Sequence, residues 1–104
     1  MNIVNLTPHT VRLNTGEEFP PSGTVCRVSA GYSAFDSRGV CSATFGEVTG
    51  LPAPETGTLY VVSGMVASAV RGRSDVVAPA TGHPDCVRVA GQVVSVPGWV
   101  GSAQ

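Results

Sequence analysis

At 104 residues, with 42% apolar side chains, 12% charged side chains and a net charge of −1, the chain has the size of one domain with one core and lacks the basic face that extended nucleic acid requires. Charged residues stand at about half their usual share, so Ser, Thr, Gly and backbone groups must supply much of the surface, which is the kind a partner often completes. No apolar stretch nears the roughly 20 residues that cross a bilayer as a helix, which excludes a helical membrane span.

All six cations are arginine, at positions 12, 27, 38, 71, 73 and 88, and lysine is absent, a usage that GC-rich coding produces without selection for function. Cys26, Cys41 and Cys86 form an odd set without CxxC spacing, and the opening MNIVNLTPHT has neither the basic start nor the apolar run of a signal peptide. These features set the expectation of a reduced, cytoplasmic protein.

Taken in chain order, 2–6 and 10–13 are short β-branched runs on either side of Thr7-Pro8-His9, where Pro8 fixes φ and favours a turn, so an opening hairpin or bent strand is expected. Asn14 to Gly16 reads as the next turn. The stretch 17–23, with Pro20 and Pro21, reads as an extended approach to a strand at 24–29. Residues 30–39 mix Gly, Ser, Asp and Arg with Tyr32 and Phe35 and read as a surface loop pinned by one ring. A strand at 40–48 ends before Pro52 and Pro54, since proline cannot donate to a ladder.

Thr58 to Val62 has the strongest strand signature, because Leu59, Tyr60, Val61 and Val62 combine β propensity with apolarity, and a central position follows. Ser63 is placed to cap a helix in which Met65, Val66, Ala69 and Val70 share a face, with Gly72 as its stop. Val76 to Ala78 is a short strand and 79–84 a loop. The runs 86–89 and 92–96 flank Ala90-Gly91, a two-residue connection suited to a hairpin. Trp99 is expected to pack over an edge of the core. The sum is a mainly β (α+β) single domain spanning 1–104: a small mixed, mostly antiparallel sheet or open barrel with one short helix at about residues 63–71.

Two constellations carry possible binding chemistry. The first is the strand, Ser63-Gly64, helix, Arg71-Gly72-Arg73 sequence. A helix start offers unpaired N–H groups to an anion, and two guanidiniums can clamp a phosphate, although Arg71 and Arg73 fall at the far end of the helix and would need a fold-back or a second subunit. The alternative is an ordinary cap, a glycine stop and solvated arginines. The second is Asn5, Thr7 and His9, which alternate and in an extended segment would present an amide, a hydroxyl and an imidazole on one face to a ribose or base edge. The alternative is that they close the Pro8 turn through hydrogen bonds to the backbone.

His83 and Cys86 have H-x-x-C spacing, to which Cys26 or Cys41 would have to add, but structural zinc sites carry paired ligands at both ends and no metal is expected. Glu47, Asp75 and Asp85 are candidate acids or bases that nothing in the sequence brings together. No catalytic residue and no cofactor is assigned.

Asn5-Leu6-Thr7-Pro8-His9, the segment from Phe45 to Pro52, Val62-Ser63-Gly64-Met65-Val66-Ala67 and the segment from Asp75 to Pro84 together resemble a family of small, mostly uncharacterised phage and prophage proteins that open with an NLTPH motif. The resemblance covers most of the chain and implies a setting in the host bacterial cytoplasm. By analogy with small phage proteins that inhibit bacterial defence, it implies a homo-oligomer that binds and sequesters a phosphorylated, nucleotide-derived immune signal through Asn5, Thr7, His9, Ser63, Gly64, Arg71 and Arg73. A protein-binding or virion-accessory module and a nucleotide-signal hydrolase are the alternatives.

Overall fold

The computed structural model describes residues 2–70 and 72–101. Four strands form the main sheet in the order β1, β6, β7, β10: β1 (Asn2–Asn5), β6 (Thr58–Val61), β7 (Val76–Pro79) and β10 (Trp99–Gly101). β1 runs parallel to β6 with Asn2 opposite Thr58, and β6 runs parallel to β7 with Tyr60 opposite Val76. β10 closes the other edge antiparallel to β7, with Trp99 opposite Pro79. The sheet is therefore mixed, and β6 is a central strand, as its continuous apolar run requires.

Parallel β6 and β7 are joined by the helix α1 (Gly64–Ala69), a crossover connection of the kind parallel pairing demands. Ser63 caps it: its backbone is extended and its Oγ accepts from the N–H of Val66 at 3.3 Å. The helix is shorter than the 63–71 expected, and its buried face is Val66 and Ala67, with the buried C-cap Val70 one turn on; Met65 and Ala69 face outward. Ala67 is the small residue that lets the helix settle against the sheet, which the 3.6-residue pattern of larger side chains conceals. Nor is Gly72 the stop, because Val70 is already extended; Gly72, at φ +73°, instead turns the chain toward β7.

Residue alternation in the central strands buries both faces of the sheet. Leu6, Tyr60, Val62, Val76 and Ala78 pack with Cys26 and the helix residues Val66, Ala67 and Val70 on one side. Val61, Val77, Val11 and Val96, joined by Ile3, Leu59 and Trp99, form the core on the other. Two-faced burial of this kind accounts for the unbroken apolar run in β6.

Three antiparallel two-stranded pairs surround the sheet: β2 (Val11–Arg12) with β3 (Glu18–Phe19), β4 (Arg27–Tyr32) with β5 (Ala43–Thr49), and β8 (Val87–Val89) with β9 (Gln92–Ser95). The described strands close no barrel. β1 and β2 form no opening hairpin. The chain bends through 7–9, β1 joins β6, and β2 folds back on β3 around the Asn14 to Gly16 turn. The Ala90-Gly91 hairpin forms as expected, with φ of 51° and 80° at the two turn residues, the positive pair that a two-residue primed turn needs.

β4 continues through Ala30, Gly31 and Tyr32, which the sequence reading places in a loop, because pairing with residues 43–45 of β5 overrides the weak strand propensity of Ala30 and Gly31. The resulting ribbon projects from the body, and the molecule measures 50 × 37 × 26 Å. Val28 and Val48 anchor its base to the core. Neither Tyr32 nor Phe35 pins its far end: they are 71% and 72% exposed. Trp99 does pack over the edge of the core, but from a strand, with its ring edge-on to Phe19 at 5.6 Å.

Candidate functional site

Because β1, β6 and β7 are parallel, their carboxyl ends lie along one edge of the sheet, where open parallel sheets place their binding crevices. There the chain leaves β1 into Thr7-Pro8-His9, leaves β6 into Ser63-Gly64, and leaves β7 into Ala80-Thr81. Facing these turns across a cleft of about 750 Å³ is β9 with Val96. The volume falls within the roughly 300–1,000 Å³ of small-molecule sites. Val11, Val93, Val94 and Val96 form much of its apolar wall, and Thr7, His9, Thr10, Arg12, Ser63, Thr81, Gln92 and Ser95 contribute polar groups to its lining.

The motif Asn5-Leu6-Thr7-Pro8-His9 builds one wall of this cleft from beneath. Asn5 is 2% exposed. Its Nδ2 donates to the carbonyls of His9 at 2.7 Å and Phe19 at 2.8 Å, and its Oδ1 accepts from the N–H of Thr7 at 2.9 Å and from Thr7 Oγ1 at 2.7 Å. Both donors and both acceptor sites of the amide are thereby used, so Asn5 holds the Pro8 bend rather than facing a ligand. Thr7 borders the cleft with its hydroxyl committed to Asn5, and the N–H of His9 donates to that hydroxyl at 3.4 Å. The imidazole of His9 is exposed on the cleft wall and hydrogen-bonds to no described residue. The bend at 7–9 ends the alternation at Asn5, so the three side chains do not share an extended face.

Ser63 and Gly64 line the cleft from the carboxyl end of neighbouring β6, with the Ser63 hydroxyl engaged in capping Val66. Arg73 stands elsewhere, beyond the other end of α1. Its Nε and Nη2 meet Asp75 Oδ1 and Oδ2, each at 2.8 Å, and Nη2 also donates to the carbonyl of Pro52 at 3.1 Å. This two-oxygen fork is the strong form of the arginine–carboxylate pair. It raises the pKa of Arg73 and, through the hydrogen bonds from Arg73, holds the Asp75 carboxyl below its ordinary range. Its place is the approach to β7. Arg71 lies outside the described residues.

Thr10, Arg12, Thr81, Gln92 and Ser95 reach the cleft without having been singled out in the sequence. Arg12 lies three positions beyond the end of the NLTPH motif at His9, but its place depends on the β2–β3 register and on the hydrogen bond from Val96 N–H to its carbonyl at 2.9 Å. Its guanidinium pairs with Glu18, Nε donating to Oε1 at 2.8 Å and Nη2 reaching the same oxygen. The two side chains are 52% and 48% exposed.

The other chemistry-bearing groups stand apart. His83 Nδ1 accepts from the N–H of Asp85 at 3.0 Å and serves the turn before β8. Cys26 is buried, which raises its thiol pKa. Among the described residues no group of three or more His, Cys, Asp and Glu gathers around a common point. Among the described residues, the cleft lining contains one imidazole and one guanidinium and neither a carboxylate nor a thiol. Comparison with known proteins finds no matching family model, no matching curated protein and no matching solved structure.

Proposed function

We propose that the protein binds and sequesters a nucleotide-derived small molecule in the cleft at the carboxyl ends of β1, β6 and β7. The observation that carries this reading is the cleft itself, where Thr7, His9, Ser63 and Gly64 meet an apolar wall that can cover a planar base. The hydroxyls of Thr10 and Thr81, the amide of Gln92 and the imidazole of His9 around that wall suit ribose and base edges. Storage is favoured over turnover because the described lining residues place no carboxylate or thiol beside His9. The resemblance to NLTPH phage proteins supplies the setting: capture of a nucleotide signal of bacterial defence.

The test incubates purified protein with cyclic oligonucleotides and ADP-ribose derivatives, removes the protein by filtration, and chromatographs the flow-through before and after heating. Depletion followed by release of the intact compound is the expected result. A new product would make the protein a hydrolase, and an unchanged panel would end the sequestration reading.

A second reading, an interaction module, is favoured by a different observation. The β4–β5 ribbon carries Tyr32, Phe35 and Val40 into solvent, and a two-stranded ribbon is marginally stable by itself. If this arm mediates self-association, the solution mass of the wild-type protein is a multiple of the chain mass, and the double variant Tyr32→Ser, Phe35→Ser falls to a monomer without loss of fold.

A further inference from the structure

Two arginine–carboxylate pairs, Arg73–Asp75 beyond the far end of α1 and Arg12–Glu18 at the cleft, differ in geometry. Arg73 forks onto both oxygens of Asp75, in a pair whose side chains are 23% and 18% exposed, and also holds the Pro52 carbonyl. It is built into the fold. Arg12 directs two nitrogens at a single oxygen of Glu18, in a pair about half exposed. Such an exposed pair contributes little, and exchanging Glu18 for another anion costs correspondingly little.

Position singles out Arg12 further. It is the cation among the described cleft-lining residues that keeps its charge at any physiological pH, and Glu18 lies outside that lining. The backbone of Arg12 is fixed from both sides, opposite Glu18 in the β2–β3 pair and through its carbonyl to Val96 N–H. Arg12 thus stands on an anchored strand in the cleft lining, with the carboxylate that pairs its guanidinium outside that lining.

We propose that Arg12 is the specificity-determining cation of the cleft: it exchanges Glu18 for a phosphate oxyanion of the ligand, while the valine wall and the polar rim take the nucleoside. The inference rests on the cleft reading above and assigns it a phosphate-selecting residue in place of the arginines at 71 and 73. Glu18 acts as the resident competitor that keeps Arg12 satisfied when the cleft is empty and raises the threshold for weakly charged ligands.

Isothermal titration with ADP-ribose and cyclic di-AMP, using adenosine as the uncharged comparison, tests the exchange. Arg12→Ala weakens binding of the phosphorylated probes by about tenfold or more, as loss of a charged hydrogen-bond donor should, and leaves adenosine unchanged. Glu18→Gln removes the competitor and tightens the phosphorylated probes about two- to fivefold. It also keeps the test intact if Arg12→Ala does not fold, since Arg12 stays in place. Wild-type binding that neither variant alters would overturn the role of Arg12 and leave the cleft reading standing. Tighter binding of adenosine by Glu18→Gln, or weaker binding of the phosphorylated probes, would also overturn it. Failure of the wild-type protein to bind any of the three compounds would overturn both.

Discussion

The buried amide of Asn5 donates to the backbone carbonyl of Phe19 at 2.8 Å, tying the end of β1 to β3 across the bend that forms one wall of the cleft. One side chain thereby fixes two segments distant in sequence, and its second donor fixes His9 as well.

Asn5→Ala takes a donor from the carbonyls of His9 and Phe19, the first of which keeps only the Thr7 hydroxyl, and leaves the Thr7 N–H without its acceptor, at a cost of roughly 2–3 kcal/mol in the free energy of unfolding measured by urea titration. Asn5→Asp is at least as damaging at neutral pH, because it replaces the two N–H donors by an acceptor facing the carbonyls of His9 and Phe19. An Asp variant as stable as wild type would show that the amide's donors are dispensable.

Gly50 and Gly57 share a left-handed backbone, at φ of 82° and 76°, but not their surroundings. A Cβ at Gly50 would stand 2.7 Å from the carbonyl oxygen of Val25, whereas one at Gly57 meets nothing within 4 Å. Gly57→Ala therefore costs only the conformational strain of about 1–2 kcal/mol. Gly50→Ala costs more, since backbone at the entry to β4 must move. Thermal melts of the two variants side by side give the comparison, and equal losses would refute it.

The Arg73–Asp75 fork predicts an acid limb in the stability profile. The folded-state pKa of Asp75 is depressed, so the pair's contribution is complete above the unfolded carboxylate value of about 3.9 and is lost as pH falls through the lower folded value. Asp75→Asn should lose roughly 1–3 kcal/mol at neutral pH, and its stability should converge with that of wild type on acidification below pH of about 4. Denaturant titrations across pH 2–7 check this, with parallel profiles as the outcome that rejects it.

Features encoded locally were legible in the sequence. Ser63 caps the helix because a hydroxyl before an apolar run has few better uses, and Ala90-Gly91 is a two-residue link between apolar runs that turns with both residues at positive φ, free of strain at Gly91 and at a Cβ cost at Ala90. The β-rich class and the central place of β6 followed from the composition of 58–62. Elements created by distant pairing were hidden. β10 is three residues long and exists because β7 offers it an edge, and β4 runs to Tyr32 because β5 lies beside it.

The site divides along the same line. Thr7, His9, Ser63 and Gly64 fall on the cleft because turns at the ends of parallel strands converge there, and their motifs marked them as turns. Arg12 owes its place to strand register, which its neighbours in sequence do not reveal. Asn5 was recognisable as a polar residue of interest, but its burial depends on the carbonyl of Phe19, from a segment the sequence does not connect to it.

The sheet order also sets a timetable for synthesis. β1 leaves the ribosome first, yet its hydrogen-bonding partner is β6, and the sheet's opposite edge waits for β10. Ile3 and Val4 consequently spend the translation of more than half the chain without their native neighbours. Parallel, non-local pairing of this sort slows folding and lengthens the exposure of nascent strands. The early strand is therefore where chaperone capture of the nascent chain would begin.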